Sequence, residues 1–265
     1  MLDHPVNQAT GLRGLGSGGS SQLIAVVSHG DEKAELPLLW RLCGALVDLG
    51  YPVTVLDATK QETDENPGLS QLLDYRFGHG ISGSDALDWN VIPSAIGIHD
   101  LCLMQSYRHQ SLQRLGPLFQ ANSVVILYAN ADWLVHLLGD SPTQPLLAVS
   151  SGKNALLTSY LALKRLLING RLTPTILNMM QHGKRSGTHD SPSATAHLSA
   201  CARNFLGYHV KAMQVDPFAP EADLKIHLRH LATRLLETAS ALSTERPGDF
   251  SLRSSFAQST FAGPQ

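Results

Sequence analysis

Apolar and polar positions alternate in blocks along this 265-residue chain, and the block lengths predict short strands alternating with longer helices. Residues 23–28 (LIAVVS) form an apolar run too short for a helix and β-branched in its second half, as a buried parallel strand requires. Residues 35–50 carry apolar positions at helical spacing, with Pro37 expected in the first turn and Gly50 as the C-terminal stop. Residues 51–58 (YPVTVLDA) are a second strand with an acid at its end, which completes a strand–helix–strand unit. The pattern then predicts a helix over 67–75, a Gly/Asp/Ser-rich loop over 76–93, a strand within 95–104 and a short helix over 109–119. Strands follow at 123–130, 144–151, 173–180 and 209–216, with helices at 131–139, 155–170, 193–208 and 221–242. The first 22 residues are polar and glycine-rich, a linker preceded by a short peptide from Pro5 to Leu15, and 243–265 is a Ser/Pro/Gly-rich tail. The expectation is therefore one α/β domain over 23–242, a doubly wound, mainly parallel sheet flanked by helices, between an N-terminal segment 1–22 and a tail 243–265.

Composition narrows the function classes. Apolar residues make up 43% of the chain, enough for a sizeable core, and the mean hydropathy is -0.04. A net charge of -2 and a pI near 6.6 exclude a large basic footprint for nucleic acid. No apolar run reaches the roughly 18 residues that span a bilayer, and the N-terminus lacks an apolar signal core, so a cytoplasmic protein is expected. Cys43, Cys102 and Cys201 lie far apart within apolar stretches, which predicts buried thiols and neither a disulfide framework nor a metal site. His29, His99, His109, His182 and His189 show no metal-ligand spacing either.

In an open parallel sheet, ligands bind at the carboxyl ends of the strands, so the turn after the first strand decides most. A phosphate loop there needs glycines for close approach, a lysine for the β/γ-phosphates and a hydroxyl for Mg²⁺. The turn SHGDEKAEL (28–36) has one glycine, Gly30, and three acids, Asp31, Glu32 and Glu35. A carboxylate about 4 Å from a phosphate repels it by about 4 kcal/mol at an effective dielectric of about 20. Read by itself, the turn is a polar loop with acids at a helix N-terminus.

Four segments together resemble the MinD/ParA group of deviant P-loop ATPases, and within it the flagellar-number regulators of the FlhG (FleN) type. NQATGLR (7–13) is similar to that group's N-terminal DQAxxLR motif, with Asn7 for the acid and Gln8, Ala9, Leu12 and Arg13 kept. Residues 23–58 resemble the first βαβ unit, 146–167 a later strand and helix, and 175–180 with 201–217 the closing strand, helix and strand. Ser28 and Leu46 are eighteen residues apart, as in the family pattern around SGKGGVGKT. The ungapped match puts Gly30 at the signature lysine, Asp31 and Glu32 at two glycines, Ala34 at a third, Glu35 at the P-loop lysine and Leu36 at the Mg²⁺-binding threonine. Lys33 falls at an apolar family position, from which only a rearranged loop brings it to a phosphate. Asp57 matches the acid ending the second strand, with Thr59 at its partner acid. Tyr128 stands at the Mg²⁺-coordinating acid of the Walker B stretch, and Asn178 at an adenine-contacting asparagine.

The resemblance implies a P-loop NTPase-like fold, and its departures imply that the fold has lost phosphoryl-transfer chemistry, which rests on lysine, Mg²⁺ and positioning. The expected protein is a pseudo-ATPase without a bound cofactor, with ATP and Mg²⁺ entering only if an unusual loop still binds them. Gly30, Lys33, Asp57 and Asn178 are the remaining nucleotide candidates. Asp57 is either a relic of the catalytic site or a loop-capping acid. In the family the N-terminal peptide engages the signal-recognition-type GTPase FlhF, and its glutamine helps order the attacking water. Asn7, Gln8, Ala9, Leu12 and Arg13 are thus the partner-binding candidates, against a chance match in an ordinary tail. Further flagellar or regulatory partners are implied, and a homodimer stays open because the family dimer forms across ATP. The helix over 221–242 has a basic face (Lys225, His227, Arg229, His230, Arg234) opposite Leu224, Leu228, Leu231 and Leu235. It reads as packed on the sheet, with membrane contact weak or indirect and at most peripheral at the inner membrane. The stripe Leu156, Leu157, Tyr160, Leu163, Leu167 reads as core. The function so implied is regulation of flagellum number or placement through protein partners. The alternatives are an active ATP-driven switch and an accessory protein of another envelope machine.

Overall fold

The computed structural model of the protein describes residues 20–74, 89–103, 108–150, 153–179, 194–216 and 219–242. In chain order the elements are β1 (Ser21–Ser28), α1 (Glu32–Asp48), β2 (Val53–Asp57), α2 (Leu69–Asp74), β3 (Trp89–Pro93), α3 (Ala95–Leu103) and α4 (Arg108–Gln113). A 3-10 turn (Gly116–Leu118) leads to β4 (Val124–Asn130), α5 (Ala131–Leu138), β5 (Leu146–Val149) and α6 (Lys153–Gly170). The remainder is β6 (Thr175–Met179), α7 (Ala194–Leu206), β7 (Ala212–Val215), α8 (Glu221–Glu237) and β8 (Ser240–Leu242).

The strands form one eight-stranded sheet in the order β3-β2-β4-β1-β5-β6-β7, with every neighbouring pair parallel. The eighth strand, β8, runs antiparallel to the start of β1, pairing Ser21 with Leu242 and Leu23 with Ser240. This is the doubly wound, mainly parallel sheet that the alternating pattern predicts.

Alternation along β1 explains the two helical layers. Leu23, Ala25 and Val27 point to one face and pack with Ile98 of α3, Leu134 of α5, Leu163 of α6 and Leu198 of α7. Ile24 and Val26 point to the other face, against Leu38, Leu42 and Leu46 of α1 and Leu228, Leu231 and Leu235 of α8. A central strand buried on both faces has no polar side to show, hence the unbroken apolar run at 23–27. The leucine face of α8 is thus covered by the sheet, and Lys225 on its outer side pairs with Asp48 of α1 at 2.8 Å.

Several sequence expectations are corrected. Residues 89–93, read as loop, are edge strand β3, and 95–103, read as strand, are helix α3. The helix expected from residue 35 begins at Glu32, because the Asp31 carbonyl accepts the Ala34 and Glu35 amides (both 2.9 Å), so Pro37 sits beyond the first turn. Gly50 does close this helix, in the left-handed region at φ 88°. The helix predicted over 109–119 is a short helix and a separate 3-10 turn. The last helix ends at Glu237, and residues 240–242 turn back to pair with β1. On α6, Leu163 is buried and Leu156, Tyr160 and Leu167 pack on the core, but Leu157 is 60% exposed and stands outside it.

Candidate functional site

The site lies beyond the carboxyl ends of β1, β2, β4 and β5. β1 ends at Ser28, and Gly30, at φ 94°, makes the turn that starts α1; this left-handed geometry suits glycine. Asp31 is the N-cap, and Glu35 stands one helical turn later on the same face. From there the Glu35 side chain folds back over the turn. Its Oε1 accepts the backbone N–H of Asp31 (2.9 Å) and of His29 (3.1 Å), and its Oε2 accepts the hydroxyl of Tyr128. Such a cap satisfies amides that a helix start leaves without partners.

The imidazole of His29 completes the enclosure. Its Nε2 lies 2.8 Å from the Ala148 carbonyl oxygen and 3.3 Å from Glu35 Oε1, and its Nδ1 lies 2.9 Å from Thr158 Oγ1. A carbonyl oxygen only accepts, so Nε2 carries a proton. The side chains of His29 and Glu35 are 2% and 1% exposed, so no bulk water screens their contact. The ring ties the turn to β5 through Ala148 and to α6 through Thr158. Ser150, just after β5, donates its hydroxyl to Asp31 Oδ2. Burial pushes the Tyr128 phenol well above its usual range; the hydrogen bond to Glu35 and the nearby Glu35 and Asp57 charges add to this, opposed by a hydrogen bond with Ser28.

Asp57 ends β2 directly beside Tyr128 in the strand register and is 8% exposed. Its Oδ1 accepts both the amide (2.9 Å) and the hydroxyl (2.6 Å) of Thr59, so the residue at the second acid position serves as donor to the first. The structure thus gives Asp57 a loop-capping role. Lys33 is exposed on the first turn of α1; two helical positions are about 200° apart, so it points away from buried Glu35. Asn178 is buried on β6, two strands from β1. Asn7, Gln8, Ala9, Leu12 and Arg13 lie outside the described residues.

The sequence reading missed three participants. His29, considered from the sequence for metal-ligand spacing, has a buried side chain. Ser150 and Thr158, which tie the turn to β5 and α6, carry no motif. A fourth residue, Glu62, caps two helices beside the site: its Oε2 accepts the Ile96 amide (2.7 Å), and its Oε1 accepts those of Gly97 (2.9 Å) and Ser70 (3.3 Å). Among the described residues, no group of three His, Cys, Asp or Glu side chains could hold a metal ion, and no helix is long and apolar enough to cross a membrane.

The residues present do not fit a nucleoside triphosphate with Mg²⁺. The turn amides that would meet a phosphate are taken by a carboxylate, and the position for an Mg²⁺-coordinating acid holds a phenol. The geometry supports ordering of the turn.

No protein-family model matches the chain, and no curated protein matches it. Solved structures do. The MinC:MinD cell division protein complex of Aquifex aeolicus superposes with a TM-score of 0.54 at 10% identity, covering 84% of this chain and 99% of that one. A plasmid partition protein from Borrelia burgdorferi gives 0.51 at 12% identity, over 82% and 99% of the two chains. Cobyrinic acid a,c-diamide synthase from Mycobacterium smegmatis, with bound ADP and magnesium, gives 0.51 at 15% identity, over 84% and 99%. At such identities the likeness is one of fold: the chain has the MinD/ParA-type P-loop architecture.

Proposed function

We propose that this protein is a MinD-like regulator that works through protein partners without hydrolysing nucleotide, and that its process is the control of flagellum number or placement. The observation that carries the non-hydrolysing part is the Glu35 carboxylate on the amides of His29 and Asp31, with Tyr128 closing its far side. Phosphoryl transfer needs positive charge at that point, and the chain supplies negative charge there.

The flagellar part is supported by the N-terminal peptide. Asn7, Gln8, Ala9, Leu12 and Arg13 reproduce most of the motif with which FlhG-type proteins engage the GTPase FlhF. Gln8 suits a water-ordering role because its amide both donates and accepts. Ser21, the first residue of β1, pairs with Leu242, so the peptide is tethered at the amino end of the sheet, opposite the 29–35 turn. Gln8 lies twelve positions before Ser20, a maximum reach of about 40 Å. Partner engagement through Gln8 then requires no nucleotide at the turn. We assign the protein to the cytoplasm, with residues 1–22 as partner-binding segment, 23–242 as the body and 243–265 as a tail.

Two measurements test this. Titration with Mg·ATP is expected to give no turnover and no binding; turnover abolished by Asp57→Ala refutes the non-hydrolysing reading. Pull-down of an FlhF-type GTPase is expected to succeed with the full chain and to weaken on Gln8→Ala or deletion of residues 1–15. An unchanged pull-down refutes the flagellar assignment.

A further inference from the structure

A phosphate loop works because backbone amides converge on a point that an anion then occupies. The turn after β1 keeps that convergence: the His29 and Asp31 amides flank Gly30 and meet at one oxygen, at 3.1 and 2.9 Å. The oxygen belongs to Glu35, which stands where the family places its P-loop lysine. We propose that the Glu35 carboxylate is a permanent intramolecular ligand of these amides, a stand-in for a nucleotide phosphate that holds residues 28–35 in one conformation whatever nucleotide surrounds the protein. The inference concerns the turn alone and stands whether or not the N-terminal peptide engages a GTPase.

Three features carry it. Both carboxylate oxygens are engaged, with Oε1 facing two amides and His29 Nε2, and Oε2 facing the Tyr128 hydroxyl. It is attached four residues from Asp31 and six from His29, so it meets their amides within the molecule and without the translational cost that a free anion pays. A phosphate entering beside it would add like charge in a site without bulk water, and the two anions would repel each other. The His29 ring extends the arrangement by linking the same turn to Ala148 and Thr158. The turn, β5 and the start of α6 are therefore fixed together. In a nucleotide-driven switch these are parts that ligand arrival can reorder; here the ligand never leaves.

The test is removal and chemical rescue. Glu35→Ala is expected to lower the thermal midpoint by about 5–10 °C and to speed amide hydrogen exchange at His29 and Asp31 by tenfold or more. Acetate, formate or inorganic phosphate should recover both, chloride at equal ionic strength should not, and the wild type should respond to none of them. Glu35→Gln retains the size of the side chain and should show faster exchange at the same two amides without rescue. The proposal is overturned if folded Glu35→Ala gains nothing from acetate or phosphate, or if exchange at these amides matches the wild type in both variants. Should Glu35→Ala fail to fold, Glu35→Gln decides by its exchange. Rapid exchange at both amides in the wild type, or their protection by added ATP, also overturns it.

Discussion

Replacing Tyr128 by phenylalanine removes one oxygen from the core and tests the enclosure of Glu35 directly. Tyr128 is 1% exposed and donates its hydroxyl to Glu35 Oε2, so Tyr128→Phe leaves a buried, charged acceptor without its donor. An unsatisfied buried group costs about 1–3 kcal/mol, toward the upper end when the group is ionised. Aromatic volume is unchanged, so no cavity adds to this. With a urea m-value of about 3 kcal/mol/M for a domain of this size, a loss of 2 kcal/mol lowers the midpoint by about 0.7 M.

The pH dependence adds a second, independent reading. The Tyr128 phenol is raised above its ordinary value of 10.0, mainly by burial and then by Glu35. A group whose folded pKa is raised contributes stability that is complete below its unfolded pKa and is lost as pH rises through the folded one. Above about pH 10 the unfolded wild type releases this proton while the folded protein holds it, at about 1.4 kcal/mol per pH unit. Phenylalanine has no proton to release, and the other tyrosines are common to both proteins. The gap between wild type and Tyr128→Phe, measured by urea denaturation at neutral pH and again above pH 10, should therefore narrow as the solution becomes alkaline. A gap below about 0.5 kcal/mol at neutral pH, or one that stays constant into alkali, refutes the assigned hydrogen bond and its electrostatics.

Two further outcomes follow from the same geometry. Glu62→Gln should destabilise by about 2–4 kcal/mol despite its matched shape, because both oxygens of Glu62 face amide donors and a glutamine must turn its own NH₂ toward one of them; thermal denaturation checks this, and a neutral substitution counts against the double cap. Cys43 is fully buried and its thiol is pushed up to about 12 by burial, so a thiol reagent at mildly alkaline pH should leave it unlabelled until denaturant opens the fold; native-state labelling of Cys43, read by mass spectrometry, would contradict its place between α1 and the sheet.

The legible parts of this chain were those set by local period. The strands at 23–28, 51–58 and 123–130 are apolar runs buried on both faces, and such runs announce themselves. The misread parts depend on partners far along the chain. Among the described residues β3 pairs with β2 alone, and its residues are mostly half-buried, so WNVIP shows no continuous apolar run. The segment AIGIHDLCL is short and mostly apolar, as a strand can be, yet it is a helix whose first amides are held by Glu62, 34 and 35 residues upstream. β8 exists because Ser240–Leu242 reach β1, more than 200 residues away in sequence. At the site, the acids of the turn and the loss of the lysines were plain in the sequence. That Glu35 turns inward to its own loop, and that His29 is buried rather than solvated, depends on Tyr128, Ala148 and Thr158, which no local pattern connects to residue 29.

Glu35 and Tyr128, which both depart from the P-loop pattern, are physically one arrangement. With Glu35 buried beneath the turn, an acid at position 128 would set two carboxylates face to face, a repulsion of about 4 kcal/mol at 4 Å and an effective dielectric of 20. Burial would resolve that only by protonating one of them. A phenol removes the second charge and supplies the donor that Oε2 needs, while keeping an apolar ring against the core around Ile24, Leu38 and Ile126. A lysine at position 35 facing Tyr128 would fare no better, since the phenol holds its proton far above neutrality and offers no negative partner. Each residue is thus intelligible only through the other. The pair makes a hydrogen-bonded closure with a single negative charge where lysine and carboxylate would make a site for Mg²⁺ and phosphate. A lysine at position 35 or an acid at position 128, introduced singly, is expected to leave a buried charge without a partner and to lower stability, as denaturation of either single variant would show.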